Sequence, residues 1–186
     1  MLRRLSHFSE MKDGAVLDVG CNSGYNAIYL SQKYGMEVVG IDHSRRHIEV
    51  SRFLSDVAGV HSVQFFEEDA ESFVRPAEFD VVLHFGTLYH LPNPLLALRS
   101  ALANLKKGGY LALETQCYDH PEDDRLCYFI NMMNNDPTNY WALSTKTLRT
   151  CLGLIGFTDV VECLRVTPAG LSQHMSRVLL TARRSH

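Results

Sequence analysis

Residues 15–25 read Ala15-Val16-Leu17-Asp18-Val19-Gly20-Cys21-Asn22-Ser23-Gly24-Tyr25, a short apolar run that breaks into a glycine-containing turn and then opens a helical pattern. A second apolar run over 36–41 ends on an acid, Asp42. Together these parts describe a strand, a tight loop whose bare backbone a ligand can touch, a helix, and a carboxylate at the tip of the neighbouring strand. A nucleoside fits that frame, because backbone N–H groups meet one end while the carboxylate accepts from the ribose hydroxyls. A nicotinamide dinucleotide fits it worse. Its fingerprint is G-x-G-x-x-G, with the second glycine admitting a pyrophosphate, and two of those glycines are missing from Gly20-Cys21-Asn22-Ser23-Gly24-Tyr25. The 186 residues also lack room for a second mononucleotide half and a catalytic domain.

The rest of the chain extends the alternation. The pattern predicts a short helix over 2–11, a first strand over 15–19, and a helix over 24–34 stopped by Gly35. A strand over 36–41 and a helix capped by Ser44 follow. Strands are expected over 63–66 and 79–85, the second apolar enough to be buried on both faces. A helix starts at Pro92 or Pro94, closes at Lys106-Lys107-Gly108-Gly109, and leads into a fifth strand over 110–115. Four strand-then-helix units and a fifth strand imply a parallel sheet covered on both sides. Residues 116–142 are long, polar and aromatic-rich without a sustained period, which suits a functional insertion on the substrate side. Ser144 then caps a helix that Gly156 stops, and two strands around Pro168-Ala169-Gly170 form an antiparallel hairpin. The expected architecture is one α/β domain over 1–186.

Bulk properties narrow the function classes. At 46% hydrophobic and 21% charged residues the composition is that of a soluble globular protein. A formal net charge of −3 gives no overall call for nucleic acid, and the pairs Arg3-Arg4, Arg45-Arg46 and Arg183-Arg184 read as solvated surface. Five cysteines without a C-x-x-C pair argue for reduced thiols rather than a disulfide framework or a zinc site. No stretch has the length of a membrane span, so a cytoplasmic protein without a membrane partner is expected. His120-Pro121-Glu122-Asp123-Asp124 reads as an exposed acidic tip, and no metal is expected.

The loop Asp18-x-Gly20-x-Asn22-x-Gly24, the acid Asp42, the pair Asp69-Ala70 after the third strand and the terminal hairpin together resemble the class I S-adenosylmethionine-dependent methyltransferases. Asn22 stands where a third glycine is common, and Asn tolerates left-handed backbone better than other non-glycine residues. The resemblance implies a Rossmann-like sheet of seven strands, mostly parallel, with the last one antiparallel. A narrower resemblance rests on Gly86-Thr87-Leu88-Tyr89-His90-Leu91-Pro92-Asn93-Pro94-Leu95, on Leu113-Glu114-Thr115-Gln116 and on residues 134–141. These look like the methyltransferase domain of tRNA wobble-uridine modifying enzymes, which use a carboxylated S-adenosylmethionine, and like relatives of that domain. Those enzymes carry an N-terminal region ahead of the domain. The short stretch here disfavours tRNA as substrate and suits a small-molecule or nucleoside acceptor.

The resemblance implies a cofactor site. Gly20 and Gly24 bring backbone to the methionine portion, with Cys21 and Asn22 completing the loop. Asp18 lies near the ammonium, directly or through water, and Asp42 accepts from the ribose. Asp69 accepts from the adenine amino group, or Glu68 does, while the Ala70 N–H faces the ring. His43 flanks the adenosine, and His84 joins the cofactor side unless it is a core histidine. The cofactor is S-adenosylmethionine, with its carboxylated form as the alternative. Reacting groups belong at the carboxyl ends of the fourth and fifth strands. His90 is the candidate base, since histidine is the side chain suited to proton transfer at neutral pH, and Glu114 is the second catalytic candidate. Tyr89, Tyr140 and Trp141 are candidate substrate walls. The expected activity is methyl transfer to oxygen. The alternatives are a non-catalytic cofactor-binding subunit of a heteromeric enzyme and a tRNA wobble-uridine modifying enzyme lacking its N-terminal region, and an uncovered site suits a partner chain, a homodimer or a large substrate.

Overall fold

The computed structural model describes residues 14–129, 136–167 and 174–185. The expected helix over 2–11 and the Pro168-Ala169-Gly170 turn lie outside them. In chain order the elements begin β1 (Ala15–Val19), α1 (Tyr25–Tyr34), β2 (Glu37–Asp42), α2 (Arg45–Val57), β3 (Val63–Glu67) and β4 (Phe79–Phe85). They continue α3 (Pro94–Asn104), β5 (Leu105–Tyr118), β6 (Cys127–Phe129), β7 (Trp141–Leu143), α4 (Thr145–Ile155), β8 (Phe157–Val166) and β9 (Met175–Arg184). The parallel body runs β3-β2-β1-β4-β5. Beyond β5 the sheet continues through β9 and β8, both pairings antiparallel.

The chain leaves β1 outward to β3 and returns to β4 on the other flank of β1, so the strand order reverses between β1 and β4. That reversal opens a crevice at the carboxyl ends of the strands, where α/β sheets hold ligands. Two buried clusters cover the faces. One packs Leu17, Val82, Leu98, Leu148 and Leu152 beneath α3 and α4. The other packs Val16, Ala27, Leu30, Ile48 and Leu83 beneath α1 and α2.

Three expectations need correcting. No helix joins β3 to β4: residues 68–78 are turns, and Asn104 at the end of α3 clamps them, accepting from the Arg75 N–H at 2.7 Å and donating to the Phe73 carbonyl at 2.9 Å. With Asn104 satisfying this backbone and Pro76 interrupting it, no helix is needed. β5 starts earlier than residue 110, because Leu105 already pairs with Phe79 before a bulge restores register at Val81 and Tyr110. Among the described residues the sheet has nine strands rather than seven. β5 outruns β4, which stops pairing at Glu114, and the exposed edge beyond is taken by Leu143 of β7 opposite Cys117, with β6 hairpinned onto β7.

Candidate active site

The glycine turn folds around its neighbours. Gly20 sits at φ 70°, and a Cβ there would lie 2.2 Å from the Thr87 hydroxyl, so side-chain loss is what lets β1 and β4 close at their tips. Gly24, at φ 78°, presses on Phe65 at the back of the loop instead, away from the crevice. Asn22 adopts φ 50°, the left-handed state that the missing third glycine requires. Its N–H donates to Asp42 Oδ2 at 3.0 Å. The other oxygen of Asp42 accepts from the Ser44 N–H at 2.9 Å and lies 3.1 Å from His47 Nδ1. Asp42 is buried, yet it borders a cleft of about 520 Å³, a size in the ordinary range for small-molecule sites.

Gly20, Asn22, Asp42, His43, Asp69, Ala70, His90 and Tyr140 all line this cleft. Asp69 turns its own chain, with Oδ1 accepting from the Glu71 N–H at 2.7 Å. Six sequence-predicted residues lie behind the wall. Asp18 is buried, one of its carboxylate oxygens finds no partner, and burial followed by the nearby Asp42 charge pushes its pKa up to about 7. Cys21 is buried in the α1-side core, where burial drives its thiol pKa upward. His84 is wholly buried with neither ring nitrogen bonded, and burial lowers its pKa to about 4. Tyr89 packs beside Ala142 and Met175. Glu114 is buried in a two-pronged pair with Arg177, at 2.5 and 2.6 Å, and the guanidinium also lies 5.5 Å from the Tyr89 ring centre. Trp141 donates to the Pro92 carbonyl at 3.1 Å and borders a separate apolar groove on the far side of Pro92.

His90 stands at the mouth of the cleft on a single 3₁₀ turn over Leu88–His90. Its Nδ1 lies 3.0 Å from the Thr138 hydroxyl and 3.2 Å from the Thr138 carbonyl. The Tyr140 N–H donates to the Tyr89 carbonyl at 2.8 Å, which zips the two segments together.

Sequence reasoning missed several residues. Thr87 joins the β4 tip to β1 by a 3.2 Å contact with the Val19 carbonyl. Glu71 accepts twice from Asn93, at 2.8 and 3.0 Å, and so fixes the approach to α3. Asp136, Thr138 and Arg177 were also missed. Of these, only Asp136-Pro137-Thr138 carried a local signal, since Asp before Pro favours a turn held by its own carboxylate. Among the described residues no cluster of three or more His, Cys, Asp or Glu side chains is placed to hold a metal. No described helix is long and apolar enough to cross a membrane.

The family model described as "Methyltransferase domain" matches residues 1–162. A tRNA U34 carboxymethyltransferase of Cellvibrio japonicus is 33% identical over 183 residues, which cover 94% of this chain and 56% of that protein. The chain spans about half the length of the curated relatives it matches. The YcgJ protein of Bacillus subtilis superposes with TM-score 0.82 at 18% identity, each chain covered in full. Phosphoethanolamine N-methyltransferase 2 of Haemonchus contortus, solved in complex with S-adenosyl-L-methionine, superposes with TM-score 0.82 at 17% identity, covering 100% of this chain and 52% of that one. A doubly wound sheet, a glycine bend facing an acid at the β2 tip, and a family match over most of the length lead to one conclusion: the chain belongs to the methyltransferase-domain family.

Proposed function

We propose that this methyltransferase domain binds S-adenosylmethionine in the cleft between the β1, β2 and β4 tips and moves the methyl group to a hydroxyl oxygen of a small-molecule or nucleoside acceptor. The observation that carries the reading is Asp42, a carboxylate held by two backbone N–H groups and opening onto the same cleft as the Gly20 bend and Asp69-Ala70. An ionised carboxylate offers about four acceptor directions. Asn22 and Ser44 take two, and His47 is the partner that yields one to a ribose diol. Asp69 and the Ala70 N–H face the adenine. Asp18, buried behind the glycine bend with one oxygen unpartnered, acts on the ammonium through its charge rather than by contact.

The bound cofactor supplies a sulfonium methyl that is already electrophilic. The protein's part is to hold the acceptor oxygen in line with it and to keep water out, and good orientation alone is worth about 7–11 kcal/mol. His90, at the rim, takes the hydroxyl proton. The name of the relatives, tRNA U34 carboxymethyltransferase, favours a second reading with a carboxylated cofactor and a tRNA acceptor.

Calorimetry with S-adenosylhomocysteine and with NAD tests the core of this reading. Binding of the first and not the second is expected, and the reverse result overturns the assignment. Transfer from the methyl and carboxymethyl cofactors to phenols, small acids, nucleosides and tRNA then separates the two readings. Turnover on none of these would leave a cofactor-binding subunit.

A further inference from the structure

We infer that Asp136 and Thr138 are positioning residues that fix the tautomer of His90 and leave Nε2 as the unprotonated nitrogen of a ring that lines the cleft. Donors and acceptors around Nδ1 decide the tautomer. Asp136 Oδ1 receives the Thr138 N–H at 2.9 Å and lies 2.6 Å from the Thr138 hydroxyl. An ionised carboxylate only accepts, so the hydroxyl proton of Thr138 points to Asp136. Thr138 Oγ1 therefore faces His90 with lone pairs, and so does the Thr138 carbonyl. Two acceptors around Nδ1 demand that Nδ1 carry the hydrogen. A neutral imidazole has one N–H, so Nε2 is left as the base. The hydrogen bonds from Thr138 hold the Asp136 carboxyl below the usual carboxylate range, and the nearby His90 adds to this, so the chain of donors is in place at neutral pH.

The ring is held on two more sides. It lies 4.3 Å, centre to centre, from the Tyr89 ring, and the Tyr140-to-Tyr89 backbone bond fixes the spacing between the two segments. The arrangement has the logic of a nucleophile, base and orienting acid, with a threonine inserted between base and acid. In the transfer step, the acceptor oxygen forms its bond to the methyl carbon. The carbon–sulfur bond breaks with its electron pair left on sulfur, and the hydroxyl proton passes to His90 Nε2. The resulting imidazolium has its Nδ1–H already bonded toward the Asp136 side, so the positive charge forms where it is best supported. This role rests on the methyltransferase reading, whereas the tautomer does not.

Nitrogen-15 NMR of the histidine rings in the intact chain at neutral pH tests the tautomer without turnover, with His90 assigned by its absence in His90→Ala. His90 is expected in the Nδ1–H form. Asp136→Ala frees the Thr138 hydroxyl to donate to Nδ1, so the ring should shift toward the Nε2–H form. Asp136→Asn keeps an acceptor and should hold the original form. Once a substrate is found, Asp136→Ala should lower kcat about tenfold, a part of what a general base supplies. The KM for the cofactor should stay within about twofold, and Asp136→Asn should recover most of kcat. An Nε2–H ring in the unaltered protein overturns the proposal. So does an unchanged tautomer in Asp136→Ala with native backbone spectra. Should Asp136→Ala fail to fold, Asp136→Asn decides, because a shifted tautomer there also overturns it. Correct tautomers in a protein that binds no S-adenosylhomocysteine would keep the proton geometry and sink only the methyltransferase reading.

Discussion

On the β2 side of the cleft, Asp42 is held chiefly by backbone N–H groups; on the β5 side, His90 and Glu114 rely chiefly on side chains distant in sequence. Asp42 is gripped by the N–H groups of Ser44, 2 residues on, and Asn22, 20 residues back, both consequences of how β1 and β2 end. His90 depends on Thr138, 48 residues away, and Glu114 on Arg177, 63 residues away. The first arrangement comes with the βαβ unit and does not depend on side-chain identity elsewhere. The second is assembled only when the β6–β7 hairpin and β9 dock. A cofactor shared by many enzymes suits the backbone-built half, and an acceptor that differs among them suits the half that side chains can retune.

The sharpest way to break the comparison is at Asp42. Asp42→Ala removes the acceptor for the ribose and the tether of both loops, and S-adenosylhomocysteine affinity should fall about 100-fold, about 2.7 kcal/mol. Hydrogen bonds to a charged group are worth about 1.5–3 kcal/mol, so losing this carboxylate suffices. Titration calorimetry measures the loss, and the melting curve should remain a single cooperative transition. An unchanged dissociation constant would remove Asp42 from the site.

The opposite signature is expected on the other side. Glu114→Gln leaves the Arg177 guanidinium without its counter-charge. Breaking a fully buried pair costs about 3–5 kcal/mol, but Arg177 is 35% exposed, and solvent reduces the cost. We expect about 2 kcal/mol of lost stability, a fall of about 4–8 °C in Tm for a chain of this size. Affinity for S-adenosylhomocysteine should change less than about threefold. A large loss of affinity with Tm unchanged would make Glu114 a ligand contact rather than a support for Tyr89 and β9.

The same contrast explains what could be read before the structure. Apolar runs and glycine turns place β1 to β5 because the central strands bury both faces, edge strand β3 buries one, and each turn is chosen locally. The turn with Asn22 and the acid at residue 42 are legible for that reason. Partners distant in sequence are not, since neither composition nor period tells a glutamate on β5 that an arginine on β9 will face it. The nine-stranded sheet was missed on similar grounds. β6 and β7 are three residues each, too short for an alternation to register, and they exist because β5 leaves an edge to be filled. His84 misled in the other sense: a polar residue at a strand end resembles a ligand contact, yet it is packed into the core with its pKa driven to about 4.

The smallest expected effect lies where the halves share a charge. Asp18 is buried behind the glycine bend, and burial together with the Asp42 charge raises its pKa to about 7. With the folded pKa above the unfolded one, the stability Asp18 contributes is fully present below about pH 4 and is lost as pH rises toward 7, where the buried carboxyl must ionise. Pairing with an ammonium reverses the preference, because only the carboxylate attracts it. Below pH 7, binding then has to expel a proton from Asp18, so affinity for S-adenosylhomocysteine should rise up to about tenfold per pH unit from pH 6 to pH 7 and level off above. It should fall again only once pH passes the point where the ligand's α-ammonium loses its own proton. Calorimetry in two buffers of different ionisation enthalpy should show proton release in the acid range, and Asp18→Asn should abolish both the slope and the release. A slope that survives in Asp18→Asn takes the proton away from Asp18, and would place the ammonium out of reach of the charge behind the glycine bend.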